Sequence, residues 1–164
     1  FHYGEVDRHT GPRPSNRSYT VTSSKVDPRA RRRARRALLQ ALYQSQLSGA
    51  DAEAMCGQFR QSGALDGADT TFFDECLHQI LRTSAKLDEA YRPFLDRSAD
   101  KLGYVERGVL RAGTFELEEC IEIPVGVVIN EWVELAKVFG AEQSFKFVNG
   151  VLDAVARDVR DSEQ

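Results

Sequence analysis

A chain of 164 residues, 41% of them hydrophobic, suits one compact domain plus a tail, and no run approaches the ~18 apolar residues of a transmembrane helix. Three widely spaced cysteines, Cys56, Cys76 and Cys120, argue against a disulfide framework and a Cys-x-x-Cys zinc site; they read as reduced packing thiols. Formal net charge is −3, yet six arginines stand between Arg29 and Arg36, so the other 156 residues carry −9 and basicity is concentrated at one place, the footprint of an anionic partner.

Residues 1–28 hold Gly4, Gly11, Pro12, Pro14 and a Ser/Thr-rich stretch from Ser18 to Ser24 without apolar periodicity, which predicts a disordered tail. The chain opens on Phe1 instead of Met, so this start is not taken as the natural one. The first residues lack the charged start and apolar middle of a secretory signal, and a soluble cytoplasmic protein is expected.

Pro28 suits the first turn, and Gly49 the C-terminal cap, of a helix about 19 or 20 residues long. Its buried stripe is Ala34, Leu38, Ala41, Leu42 and Ser45, while Arg32, Arg36, Leu39 and Tyr43 share a second face. At about 100° per residue, Tyr43 lies about 20° around the axis from Arg32. Guanidinium groups that neutralise phosphates beside a ring that stacks a base are how single-stranded nucleic acid is commonly held. A solvated face or a targeting signal fits the arginine run equally well, and packing against a neighbouring helix fits the ring.

Next come a weak helix over 51–61, a loop over 62–69 and a longer helix from Thr70 to Tyr91, on which Phe73, Leu77, Ile80, Leu81, Ser84 and Leu87 recur before Pro93 stops the pattern. His78 lies off that stripe and reads as a surface residue, and a short turn follows at Phe94 and Leu95. Lys101 to Glu119 form another helix, with Leu102, Val105, Val109, Ala112 and Phe115 or Glu116 on one side. Gly108 and Gly113 each cost it about 1 kcal/mol relative to Ala unless close packing requires them. Pro124 opens a helix that ends at Gly140, with Lys137 placed to pair with Glu134, and Ser144 can cap a last helix carrying Val148, Val151, Leu152 and Val155. Pro124 and Gly126 weaken the one strand candidate, Ile121 to Ile129. The prediction is an all-α bundle of six or seven helices: a tail over 1–28, a helical domain over 29–160 and a short tail over 161–164.

The run from Ala30 to Arg35 leads into Gln40-Ala41-Leu42-Tyr43, and is followed by Val105-Glu106-Arg107, Phe115-Glu116-Leu117, Ile129-Asn130-Glu131 and Glu134-Leu135-Ala136-Lys137. Phe139-Gly140-Ala141-Glu142 and Lys146-Phe147-Val148-Asn149-Gly150-Val151-Leu152-Asp153 come last. In this order, from Pro28 to Arg160, the chain resembles the NusB family of bacterial transcription antitermination proteins. The resemblance implies two small helical subdomains, no catalytic activity, no cofactor, no metal and no membrane. It implies binding of the single-stranded boxA element of ribosomal RNA leader transcripts together with NusE, a small-subunit ribosomal protein, in a complex with RNA polymerase and other Nus factors. Carried over by position, Arg31, Arg32, Arg35 and Arg36 belong to the arginine-rich RNA-binding helix, Tyr43 is its RNA-contacting tyrosine, and Gln143, Lys146 and Phe147 stand where the last helix begins at the RNA surface. Asp100, Glu106 and Arg111 fall in the segment associated with NusE.

The chain departs from the family pattern at Gln143, where relatives often have an acid, at Gly108 and Gly113, where they often have Ala, and at Asp27, where some have Lys. Two other readings are a stand-alone, homodimeric RNA-binding regulator and a detached helical module of a ribosomal RNA methyltransferase. Against the second, the chain has no room for a cofactor-binding sheet, and the carboxylates of Glu116, Glu118 and Glu119 come with no base or nucleophile.

Overall fold

A computed structural model describes residues 26–160, so the predicted tails, apart from Val26 to Pro28, lie outside the described residues. Seven α-helices and two short 3-10 turns follow in order among these residues: α1 Pro28–Ser48, α2 Ala52–Ser62, α3 Thr70–Arg82, α4 Ser84–Tyr91, turns at Arg92–Phe94 and Ala99–Lys101, α5 Tyr104–Glu119, α6 Val125–Phe139 and α7 Ser144–Val159. The all-α prediction holds. Helices α1, α2 and α3 pack as one small group and α4 to α7 as a second, joined chiefly where α1 crosses α5.

Local chemistry sets most helix ends. The Asp27 carboxylate accepts from the Arg29 N–H at 3.0 Å at the start of α1, Pro28 follows, and Gly49 closes the helix at φ 75°. The Asp51 and Asp69 side chains cap α2 and α3 in the same way. Arg160 caps α5 from far along the chain: its guanidinium donates to the carbonyls of Glu116, Leu117, Cys120 and Ile123 at 2.6 to 3.1 Å, and so supplies partners that a helix C-terminus lacks.

Of the stripe predicted for α1, Ala34, Leu38, Ala41 and Leu42 are buried, the first three at 0% exposure, and Ser45 is half-buried; Leu39, expected on the second face, is buried as well. Gly108 and Gly113 mark the closest helix contacts: an added Cβ at Gly108 would lie 3.0 Å from Leu39 Cδ1, and one at Gly113 would lie 2.9 Å from both Leu152 methyls. The penalty for glycine inside α5 is thus the condition for α1 and α7 to approach it. All three cysteines are free and buried.

Three predicted features are corrected. The single helix over Thr70 to Tyr91 is broken at Thr83, which sits at φ −112°, ψ 21° with its hydroxyl donating to the Gln79 carbonyl at 2.8 Å; this back-bonding competes with the helical ladder. The helix predicted from Lys101 begins at Tyr104, because Leu102 and Gly103 are extended and the preceding residues form a separate 3-10 turn. Ser144 does not cap α7: Gln143 holds the capping position at φ 73°, while the Ser144 hydroxyl donates to Glu106 at 2.9 Å.

Candidate nucleic-acid interface

The six arginines of α1 divide between inside and outside. Arg31 and Arg35, one turn apart, share the inner side with Ala34 and Leu38. Arg31 Nε donates to Asp69 at 3.2 Å, and its guanidinium lies 4.0 Å from the centre of the Phe72 ring. Arg35 donates to both oxygens of Glu116, at 2.7 and 2.8 Å, and Trp132 Nε1 donates to the same carboxylate at 2.7 Å. Burial pushes the Arg35 guanidinium down, but the adjoining Glu116 carboxylate outweighs it and the group titrates above its ordinary value.

The side chains of Arg31 and Arg35 are only 5% and 4% exposed, and each is paired with a carboxylate of the protein. In this structure the two arginines hold α1 against the start of α3 and against α5. A buried charge left without its partner is costly, which ties both to stability.

Arg29, Arg32, Arg33 and Arg36 face outward. With Asn130, Glu131 and other residues of α6 they line a groove of about 600 Å³. Arg32 forms a two-pronged pair with Glu131 at 3.1 and 2.9 Å, a hydrogen bond that also raises its pKa, yet its side chain stays 63% exposed. Arg33 donates to the Gly67 carbonyl at 3.4 Å. Arg36 lies 4.8 Å from the centre of the Phe139 ring, leaving its charge at the surface.

Tyr43 is 40% exposed and stands edge-on to Tyr104, ring centres 6.0 Å apart. The ring is not core. It stands at a second cleft, of about 580 Å³, whose walls include Leu39, Gln40, Gln58, Phe59 and Phe139. Phe139 thus carries Arg36 and also lines the Tyr43 cleft, linking the arginine groove to the exposed aromatic.

Gln143 and Lys146 are exposed at the start of α7. Phe147 is half-buried, and the Arg97 guanidinium lies 3.9 Å from its ring centre. Arg97 thus covers one face of the Phe147 ring.

Of the residues expected to meet a protein partner, Asp100 is exposed in the second 3-10 turn. Glu106 uses one oxygen to accept from the Gly103 N–H at 3.0 Å, capping α5, and the other to accept from Ser144. That second bond ties the start of α5 to the start of α7. Arg111 pairs with both oxygens of Asp88 at 2.8 Å, and Tyr91 donates to the same carboxylate.

Sequence reasoning missed Asp69, Glu116, Glu131, Trp132 and Arg97 as parts of this region. One signal was present for Glu116: it continues the apolar spacing of Val105, Val109 and Ala112, and a carboxylate on such a stripe calls for a buried cation. The others have no local signal.

The NusB family model matches residues 32–157 of this chain. The transcription antitermination protein NusB of Alcanivorax borkumensis is 51% identical over 136 residues, 83% of this chain and 91% of that protein. NusB of Hydrogenovibrio crunogenus is 45% identical over 82% of this chain and 83% of that protein. Among solved structures, T. maritima NusB superposes with a TM-score of 0.70 at 31% identity, covering 80% of this chain and 94% of its own. A crystal structure of the antitermination factors NusB and NusE in complex with dsRNA gives a TM-score of 0.72 at 30% identity, covering 79% and 98%. The chain belongs to the NusB family.

Proposed function

We propose that this chain is a transcription antitermination factor that binds the boxA element of ribosomal RNA leader transcripts together with NusE. The observation that carries the reading is the outward set Arg29, Arg32, Arg33 and Arg36, presented along one side of α1 with the exposed Tyr43 farther along the same helix. Guanidinium groups neutralise the RNA backbone and release its counterions, while an exposed ring offers a base a stacking surface. The relatives are named as antitermination proteins, and one solved relative is held in a complex of NusE and RNA, which supports the same partners for this chain.

On this reading Arg32 and Arg36 contact phosphates, Tyr43 stacks a base, and Gln143 and Lys146 extend the RNA surface at the start of α7. Asp100 and the joined Glu106–Ser144 corner face NusE, a basic protein for which an acidic chain is a complementary partner. The protein acts by assembling RNA and protein with RNA polymerase in the cytoplasm, not by catalysis.

Titration of a labelled boxA RNA and a scrambled RNA of equal length, with and without purified NusE, tests the proposal. NusE is expected to tighten boxA binding more than scrambled binding. Equal binding of both RNAs, unchanged by NusE, would overturn it; a boxA preference that NusE leaves unchanged would point to a stand-alone RNA-binding regulator.

A further inference from the structure

The groove that offers arginines to an RNA backbone also contains acids. Arg29, Arg32, Arg33 and Arg36 line it from α1, and Glu131 and Glu134 line it from α6. Glu134 is answered on its own helix by Lys137 at 3.0 Å. Glu131 reaches across to Arg32, taking Nε and Nη2 on its two oxygens at 3.1 and 2.9 Å. The carboxylate is tucked in at 14% exposure, beneath a guanidinium that is 63% exposed.

A pair this open contributes little to folding. Its consequence falls on what Arg32 can offer a ligand. The guanidinium is a planar fork, and one of its edges is held by Glu131, so it cannot swing freely toward whichever phosphate passes. A phosphate that approaches the held edge meets a carboxylate of like charge. The outer edge remains, in a fixed orientation.

We propose that Glu131 is a positioning residue that sets RNA specificity: it locks the Arg32 guanidinium and withholds it from phosphates that do not arrive on the free edge. The inference rests on the RNA-binding reading above. Non-specific binding is built from loosely placed phosphate contacts, so a withheld arginine weakens it directly. A specific complex has its backbone placed by base contacts, and can set an oxygen on the available edge. The acid thus lowers background binding more than it lowers specific binding.

The test uses the full chain, a boxA RNA and a scrambled RNA of equal length, with anisotropy titrations over a series of KCl concentrations. Glu131→Gln keeps the side-chain volume and removes the charge. It is expected to tighten scrambled-RNA binding by about three- to tenfold, to tighten boxA binding less, and to steepen the scrambled-RNA salt slope by about 0.7. Glu131→Asp, which retains the charge, is expected to restore most of the discrimination. In an Arg32→Ala background, Glu131→Gln is expected to change nothing further, because its effect passes through Arg32.

Equal tightening of both RNAs, weaker binding of both, or a change in discrimination that persists without Arg32 would overturn the proposal. If the wild-type chain treats the two RNAs alike, the boxA reading fails separately. In that case a steeper salt slope in Glu131→Gln still supports the lock on Arg32, and an unchanged slope overturns it.

Discussion

Arg35 and Glu116, 81 residues apart in the chain, close a two-pronged ion pair in the interior at 2.7 and 2.8 Å. The pair takes Arg35, as Asp69 takes Arg31, out of the arginines at the surface. It also orients Trp132, whose indole N–H donates to the same carboxylate. Glu116→Gln is expected to destabilise the fold by about 3 kcal/mol, since it leaves the Arg35 charge buried without a counter-charge. Urea unfolding measures the loss. RNA affinity of the folded fraction should stay near that of the wild type; a selective loss of RNA binding with stability intact would restore Arg35 to the binding surface.

Arg36 and Tyr43 should separate cleanly in RNA titrations. Arg36→Ala removes an exposed charge above Phe139, and is expected to flatten the salt dependence by about 0.7 in log–log slope. Tyr43→Ala removes a ring that is 40% exposed, and is expected to weaken RNA binding by about 1–3 kcal/mol with the slope unchanged. Thermal melts of both variants should lie near the wild type. If Tyr43→Ala unfolds the chain, the stacking role is wrong.

Two helical glycines should respond in opposite directions to alanine. At Gly113 the new Cβ would lie 2.9 Å from the methyls of the fully buried Leu152, so overpacking is expected to cost about 1–3 kcal/mol. At Gly150, in α7, nothing lies within 4 Å of the added carbon, and the gain in helix propensity should stabilise by about 0.5–1 kcal/mol. Parallel melting curves decide both, and a stabilised Gly113→Ala would contradict the close approach of α5 and α7.

Acid unfolding should report on Asp88. Burial raises its carboxyl, but hydrogen bonds from Arg111 and Tyr91 outweigh this and hold it below its ordinary value of 3.8. A carboxyl lowered in the folded state stabilises fully above the unfolded value and loses that contribution as pH falls through the folded value. Asp88→Asn should therefore lower stability at neutral pH, and its acid-unfolding profile should lose part of its steepness below pH ~4. Urea midpoints across a pH series test this, and an unchanged profile would remove Asp88 from the acid response.

Much of the fold is legible from short-range chemistry. Pro28 and Gly49 bound α1 because turn and cap conformations are settled within a few residues, and the apolar spacing of Leu38, Ala41 and Leu42 marks its inner side. The break at Thr83 was not legible, because a threonine hydroxyl that bonds back to its own helix is tolerated in some helices and ends others. Ser144 misled for a similar reason: its hydroxyl suits a helix cap, but Glu106, 38 residues earlier, competes for it.

The candidate site follows the same division. Residue order alone places six arginines at the start of one helix, sets Tyr43 on a face with Arg32, and carries the NusB pattern from Pro28 to Arg160. Which of those arginines stay exposed depends on the folded chain. Arg31 turns to Asp69, Arg35 to Glu116 and Arg32 to Glu131, partners 38, 81 and 99 residues away. Helical periodicity states where a side chain points, but whether a charge may be buried depends on a counter-charge that folding brings from elsewhere in the chain.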